Sequence, residues 1–182
     1  MTVIIIIALI ALLVLWVISV QRKLVGADEL CQNAMSTIGV QQESRWDALT
    51  GMVELIKSYN EHEYNTLKDV IAQRKQIDGN STPEQADAQE DLMNQVASRI
   101  NVVVERYPEL KANENYAKAM DAVDKYTNLV RTSKMVYNDT ATKYNRMIRQ
   151  IPDSIVASLF GFKTREYLKT EEKKTEMPSL KI

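Results

Sequence analysis

Glu61-His62-Glu63 is where residue types and spacing come nearest to catalytic chemistry. A zinc-hydrolase helix places a second histidine four residues after the first, so that two imidazoles on one face hold the metal and the glutamate between them acts as base. Here that position is Thr66, and His62 is the chain's only histidine, so neither a multi-histidine metal site nor a histidine-based triad forms within one copy. The expected state of His62 is a half-exposed helical side chain beside its carboxylate neighbours. The single cysteine, Cys31, has no histidine near it in sequence and reads as a small apolar residue. Five glycines, at 26, 39, 51, 79 and 161, lie too far apart for a phosphate loop. These residues point away from an enzyme and imply no cofactor or metal.

Two Tyr-Asn pairs, Tyr137-Asn138 and Tyr144-Asn145, stand seven residues apart and share a helix face. Phenol and amide groups in that register make a polar ladder suited to a ligand. The plainer use is structural: rings fill a helix seam while each hydroxyl finds a polar partner at its edge. The plainer use is the expected one. Asn80 and Asn138 open N-x-Thr sequons, which matter only in a eukaryotic secretory route that nothing else in the chain supports.

These groups are carried on a chain that begins with an apolar run. Val3 to Val20 holds no charge, glycine or proline. At 1.5 Å per residue it makes a helix of about 27 Å, close to the hydrocarbon thickness of a bilayer. A secretory signal needs a basic start and a small-residue cleavage site; neither is present, so the run reads as an uncleaved single span. The basic pair Arg22-Lys23 flanks its C-terminal end, which by the positive-inside rule puts that end in the cytoplasm and the N-terminus outside. The alternative leaves the domain periplasmic or extracellular.

Beyond the span, all 23 basic and 24 acidic residues lie in about 160 positions, highly charged but nearly neutral. That balance argues against nucleic acid as a partner. Apolar spacing predicts a first helix from Leu24 to Ile77, continuous or gently bent near Gly39 or Gly51. Thr82-Pro83-x-Gln85 carries a capping box and an N-terminal proline, opening a second helix that runs to about Arg106 and stops before Tyr107-Pro108. A third spans about Asn113 to Ile151, with polar gaps near Thr127 and Lys134. The fold expected is all-α: an N-terminal transmembrane helix continuing into an elongated antiparallel three- to four-helix bundle. Residues 1–23 form the anchor and basic flank, 24–162 the bundle, and 163–182 a charged, flexible tail.

In this pattern the first helix outreaches its partners. The membrane-proximal face bearing Leu24, Cys31, Met35 and Ile38 then has few partners in its own chain: a fold-back near Gly39 into a four-helix bundle covers it, or neighbouring copies or the short apolar segment after Pro152 do, and it is the candidate self-association face.

Several motifs, taken in order, resemble the LemA proteins, which are bacterial membrane proteins. They are Asp47-Ala48-Leu49-x-x-Met52-Val53 followed by Lys57-x-Tyr59-x-x-His62-Glu63, then Glu105-x-Tyr107-Pro108-x-Leu110-Lys111-Ala112, the two Tyr-Asn pairs, and Gly161-Phe162 after Pro152. The resemblance covers the chain from the span to about Leu168. Two positions depart from the family pattern: Gln21-Arg22-Lys23-Leu24-Val25 lacks the usual Tyr-Asn, and Leu49-Thr50-Gly51 stands where Ile-Pro-Asn is usual. The resemblance implies a helical bundle on a single-pass anchor in the bacterial inner membrane, with no known enzymatic activity. One such relative is associated with magnetosome membranes. The combined expectation is a non-enzymatic, homo-oligomeric scaffold that organises or shapes the bilayer. The alternative is an adaptor or sensor docking a membrane protease, kinase or envelope complex.

Overall fold

A computed structural model describes residues 1–169, and among these there is no strand. The first helix, α1 (Thr2–Ile56), is unbroken for 55 residues, a rod of about 80 Å. It is the one described helix long and apolar enough to cross a membrane, through its N-terminal part. α2 (Glu61–Ile71) folds back on it, α3 (Pro83–Arg106) and the single turn α4 (Pro108–Lys111) follow, and α5 (Glu114–Arg149) returns along the whole stalk. The short α6 (Asp153–Leu159) then leads, through a turn at Phe160 and Gly161, into an extended strap, residues 163–169.

The predicted first helix is corrected at its C-terminal end. It stops at Ile56 instead of Ile77, because the Asn60 side-chain oxygen caps a new helix by accepting the Glu63 N–H at 3.0 Å, with Glu61 and Glu63 in the first turn. Gly39 does not break α1 either. A Cβ there would overlap the Ile77 carbonyl, so this glycine admits the incoming loop against the rod. The start of α3 matches its signal, since Gln85 N–H donates to the Thr82 hydroxyl and Thr82 N–H to the Gln85 side chain, at 3.2 and 2.8 Å.

These lengths decide how the stalk is covered. Residues 21–56 make 36 helical positions beyond the apolar run, and α5 also has 36. The two run antiparallel along their full length. Leu24, Cys31 and Ile38 are completely buried and Met35 is nearly so, in a core shared with Tyr137, Ala141 and Tyr144 of α5, Val156 and Ala157 of α6, and Leu168. Of the covers expected for this face, the short segment after Pro152 is present as α6, joined by α5 and Leu168; cover by neighbouring copies is corrected, because a stalk that ends at Ile56 has no surplus length.

The core is in two parts. The distal cluster joins Trp46, Leu49, Met52, Val53 and Ile56 of α1 to α2, α3, α4 and the start of α5. The proximal cluster runs from Ile38 back to Val20. Between them lies a buried polar belt. Lys134 Nζ sits 2.6 Å from Glu90 and 2.9 Å from Asp87, while Gln42 donates to the Ala86 carbonyl at 2.8 Å. Burial alone would lower the Lys134 pKa, but hydrogen bonds to Glu90 and Asp87 outweigh it and hold the ammonium above its usual 10.5. The polar gap near Lys134 seen in the α5 stripe is this belt.

Candidate functional site: an asparagine ladder and its strap

Seven residues of α5 separate Asn138 from Asn145, or about 10.5 Å of helix rise. Three residues of extended chain separate Arg165 from Leu168, or about 10 Å. The two spacings coincide, and the strap runs antiparallel to α5 with each asparagine facing one strap residue. The Asn138 amide donates to the Leu168 carbonyl and its oxygen accepts the Leu168 N–H, both at 2.9 Å. Asn145 does the same to Arg165, both at 2.8 Å. Extended backbone needs a partner for every buried N–H and C=O. The carboxamide supplies donor and acceptor together, as a neighbouring strand would. Such pairs read main chain only, so they accept any residue there except proline at the N–H positions.

The tyrosines of the pairs do different work. Tyr137 donates from its hydroxyl to the Glu166 carbonyl at 3.2 Å, so it is a further rung. Tyr144 is almost fully buried beside it. Burial pushes both phenol pKa values up, which keeps the Tyr137 hydroxyl a donor.

Side-chain selectivity comes from two other contacts. Arg165 Nε reaches Asp28 of α1 at 2.8 Å, and that bond raises the guanidinium's pKa. Leu168 is buried in the proximal core. Asp87, in the polar belt, accepts the Lys169 N–H at 3.0 Å. Alongside the strap opens a cleft of about 520 Å³, lined by Asp28, Thr82, Pro83, Tyr144, Phe162 and Lys163 among others.

The motif residues thus fall into two places. Tyr137, Asn138, Tyr144 and Asn145 build the ladder. Tyr59, His62, Glu63, Tyr107 and Pro108 gather at the far end of the bundle, about 40 Å away along α1. There the Tyr59 and Tyr107 rings lie 6.1 Å apart, Asn60 donates to the Tyr107 hydroxyl at 3.2 Å, Glu63 is 3.7 Å from Arg106, and Pro108 starts α4. His62 is exposed. Among the described residues no group of three or more His, Cys, Asp or Glu is placed to hold a metal. This distal corner is a junction of helix ends held by these contacts.

The reading of residues 163–182 as a flexible tail is corrected for 163–169, which form the strap; 170–182 lie outside the described residues. Of the anchor residues, Val3 is exposed, Val20 is buried against the bundle, and Arg22 and Lys23 are exposed just beyond.

The family model described as LemA matches residues 34–182, which spans the bundle and its strap. No curated protein matches the chain.

Proposed function

The chain belongs to the LemA family, and we propose that within it this member is a membrane-anchored, non-enzymatic docking protein that captures an extended polypeptide segment along α5. One observation carries the proposal: Asn138 and Asn145 each grip a peptide unit by two main-chain hydrogen bonds, a recognition mode indifferent to most of the sequence bound. The chain's own strap is the resident occupant. Asp28 and the Leu168 socket add preference for a basic residue and, three positions on, an apolar one.

The apolar run of α1 tethers this groove to a bilayer. Val20 belongs to the bundle core, which supports a permanent anchor over a cleaved leader. Arg22 and Lys23 support a cytoplasmic bundle with the N-terminus outside; the inverted orientation is the alternative.

Self-association into a membrane scaffold is a second reading, favoured by the fact that the groove already fits a segment of this chain. With the Leu24–Ile38 face consumed internally, assembly would run through strap exchange, one copy's strap on its neighbour's ladder. Confinement to a plane raises the effective concentration for such exchange.

A photoreactive amino acid at Thr142, exposed on α5 and within reach of the Tyr167 hydroxyl, reports the occupant in native membranes. Docking predicts conjugates to a second polypeptide that disappear in Asn138→Ala/Asn145→Ala. Scaffolding predicts homodimers mapped to the neighbour's residues 163–169. Intramolecular products alone would overturn both, leaving the strap a permanent staple.

A further inference from the structure

We propose that α6 is a second membrane contact, a foot whose outward face lies in the headgroup–acyl boundary of an anionic bilayer beside the emerging α1. The proposal rests on reading the apolar run of α1 as a span.

α6 is apolar on two opposite sides. Val156 and Ala157 face inward, 1% and 2% exposed, while Ile155 and Leu159, one turn apart, face outward at 63% and 75%. Ile151, two residues before the helix, and Phe160, immediately after it, are also exposed, at 84% and 52%. A lone surface leucine is ordinary, but four large apolar side chains within ten residues form a patch that calls for a cover.

Position identifies the cover. α5 pairs antiparallel with residues 21–56 at equal length, so its last residue, Arg149, stands level with the end of the apolar run. The chain turns there, and α6 packs on both α1 and α5. Bundle contacts reach below that level, since Val20 is buried and Trp16 and Val17 are half-covered by the proximal core. With residues 3–20 in hydrocarbon, α6 sits at the interface and its outward side has lipid beside it.

Charge agrees with the placement. Arg22, Lys23, Arg146, Arg149 and Lys163 are all exposed around the foot, and between 146 and 163 the one acidic residue is Asp153. Apolar residues dipping below a rim of basic side chains is the pattern of an interfacial helix on anionic lipid. A foot beside the span would fix the stalk's tilt, which a single helix leaves free.

Spin labels on the full-length chain in phosphatidylcholine vesicles, with and without phosphatidylglycerol, test the proposal. Single labels go at Leu15, Ile155, Leu159 and, as a solvent reference, Val102; the fully buried Cys31 thiol stays unlabelled. The expected result is a several-fold higher ratio of oxygen to nickel-chelate collisions at 155 and 159 than at 102, increased further by the anionic lipid. Values at 155 and 159 equal to that at 102, with Leu15 high, overturn the foot and leave the span intact. A low ratio at Leu15 overturns the span itself. Immobilised labels shielded from both reagents, or dipolar broadening between copies, assign the face to protein and also overturn the foot.

Discussion

The two ends of the bundle are closed by different means. At the distal end α1 and α5 are joined by α3, with α2 and α4 over them, and every wall is a helix whose backbone bonds are internal. At the proximal end α3 contributes its first turn, through Ala86 and Asp87, and α6 and an extended strap complete the wall. The strap's peptide groups cannot satisfy one another, so α5 lends Asn138, Asn145 and Tyr137 to do so. A helical wall stands by itself once packed. A strap stands only while its ladder holds, so the proposed docking role predicts that opening begins at the proximal end.

Replacing core residues sharpens that contrast. Trp46→Ala in the distal cluster removes a side chain that is 1% exposed, and a loss of about 3–5 kcal/mol is expected in chemical denaturation of the whole bundle. Lys134→Met leaves Glu90 and Asp87 without their cation, a loss of similar size, about 3–5 kcal/mol. In the native chain the Lys134 pKa is raised, so its stabilisation is fully present below 10.5 and disappears as pH climbs through the higher folded value. A denaturation series at rising pH should show that loss in the native chain and lack it in Lys134→Met.

The ladder comes next. Asn138→Ala and Asn145→Ala each strand a peptide N–H and C=O, for about 1–3 kcal/mol apiece. Hydrogen exchange should then quicken at Arg165 and Leu168 while the Trp46–Ile56 amides keep their protection. Equal acceleration at both ends would erase the distinction between the walls. The smallest effect is expected at Arg74, whose 3.1 Å bonds to Glu43 and Asp47 are solvent-exposed; Arg74→Ala should cost under about 1 kcal/mol in the same denaturation assay.

Local signals in the chain were sufficient where the physics is local. The Val3–Val20 run, the Thr82–Gln85 box and the Tyr107-Pro108 stop all act within a few residues, and each stands where spacing predicts. Asn60 carried a cap signal too, with Glu63 three residues on. The apolar stripe hid it, because Leu67 and Ile71 continue the same helical period after the chain has reversed. From that miss followed the other: a stalk running to Ile77 needs outside cover, and one ending at Ile56 does not. The register of Asn138 and Asn145 was visible as a shared face, but its ligand was not. Extended chain has no helical period, and the Arg165–Asp28 pair spans 137 positions that a single sequence does not connect.

We propose that the strap is a displaceable occupant of the ladder. Native-state amide exchange of Arg165 and Leu168 in the full-length protein, reconstituted in bilayers, tests it most directly. Local opening predicts protection well below that of the α5 core amides around Tyr137 and Tyr144, insensitive to denaturant at low concentration. Protection equal to that core, lost only with global unfolding, would contradict the account, since a strap that leaves only when the protein unfolds cannot yield its groove to a partner.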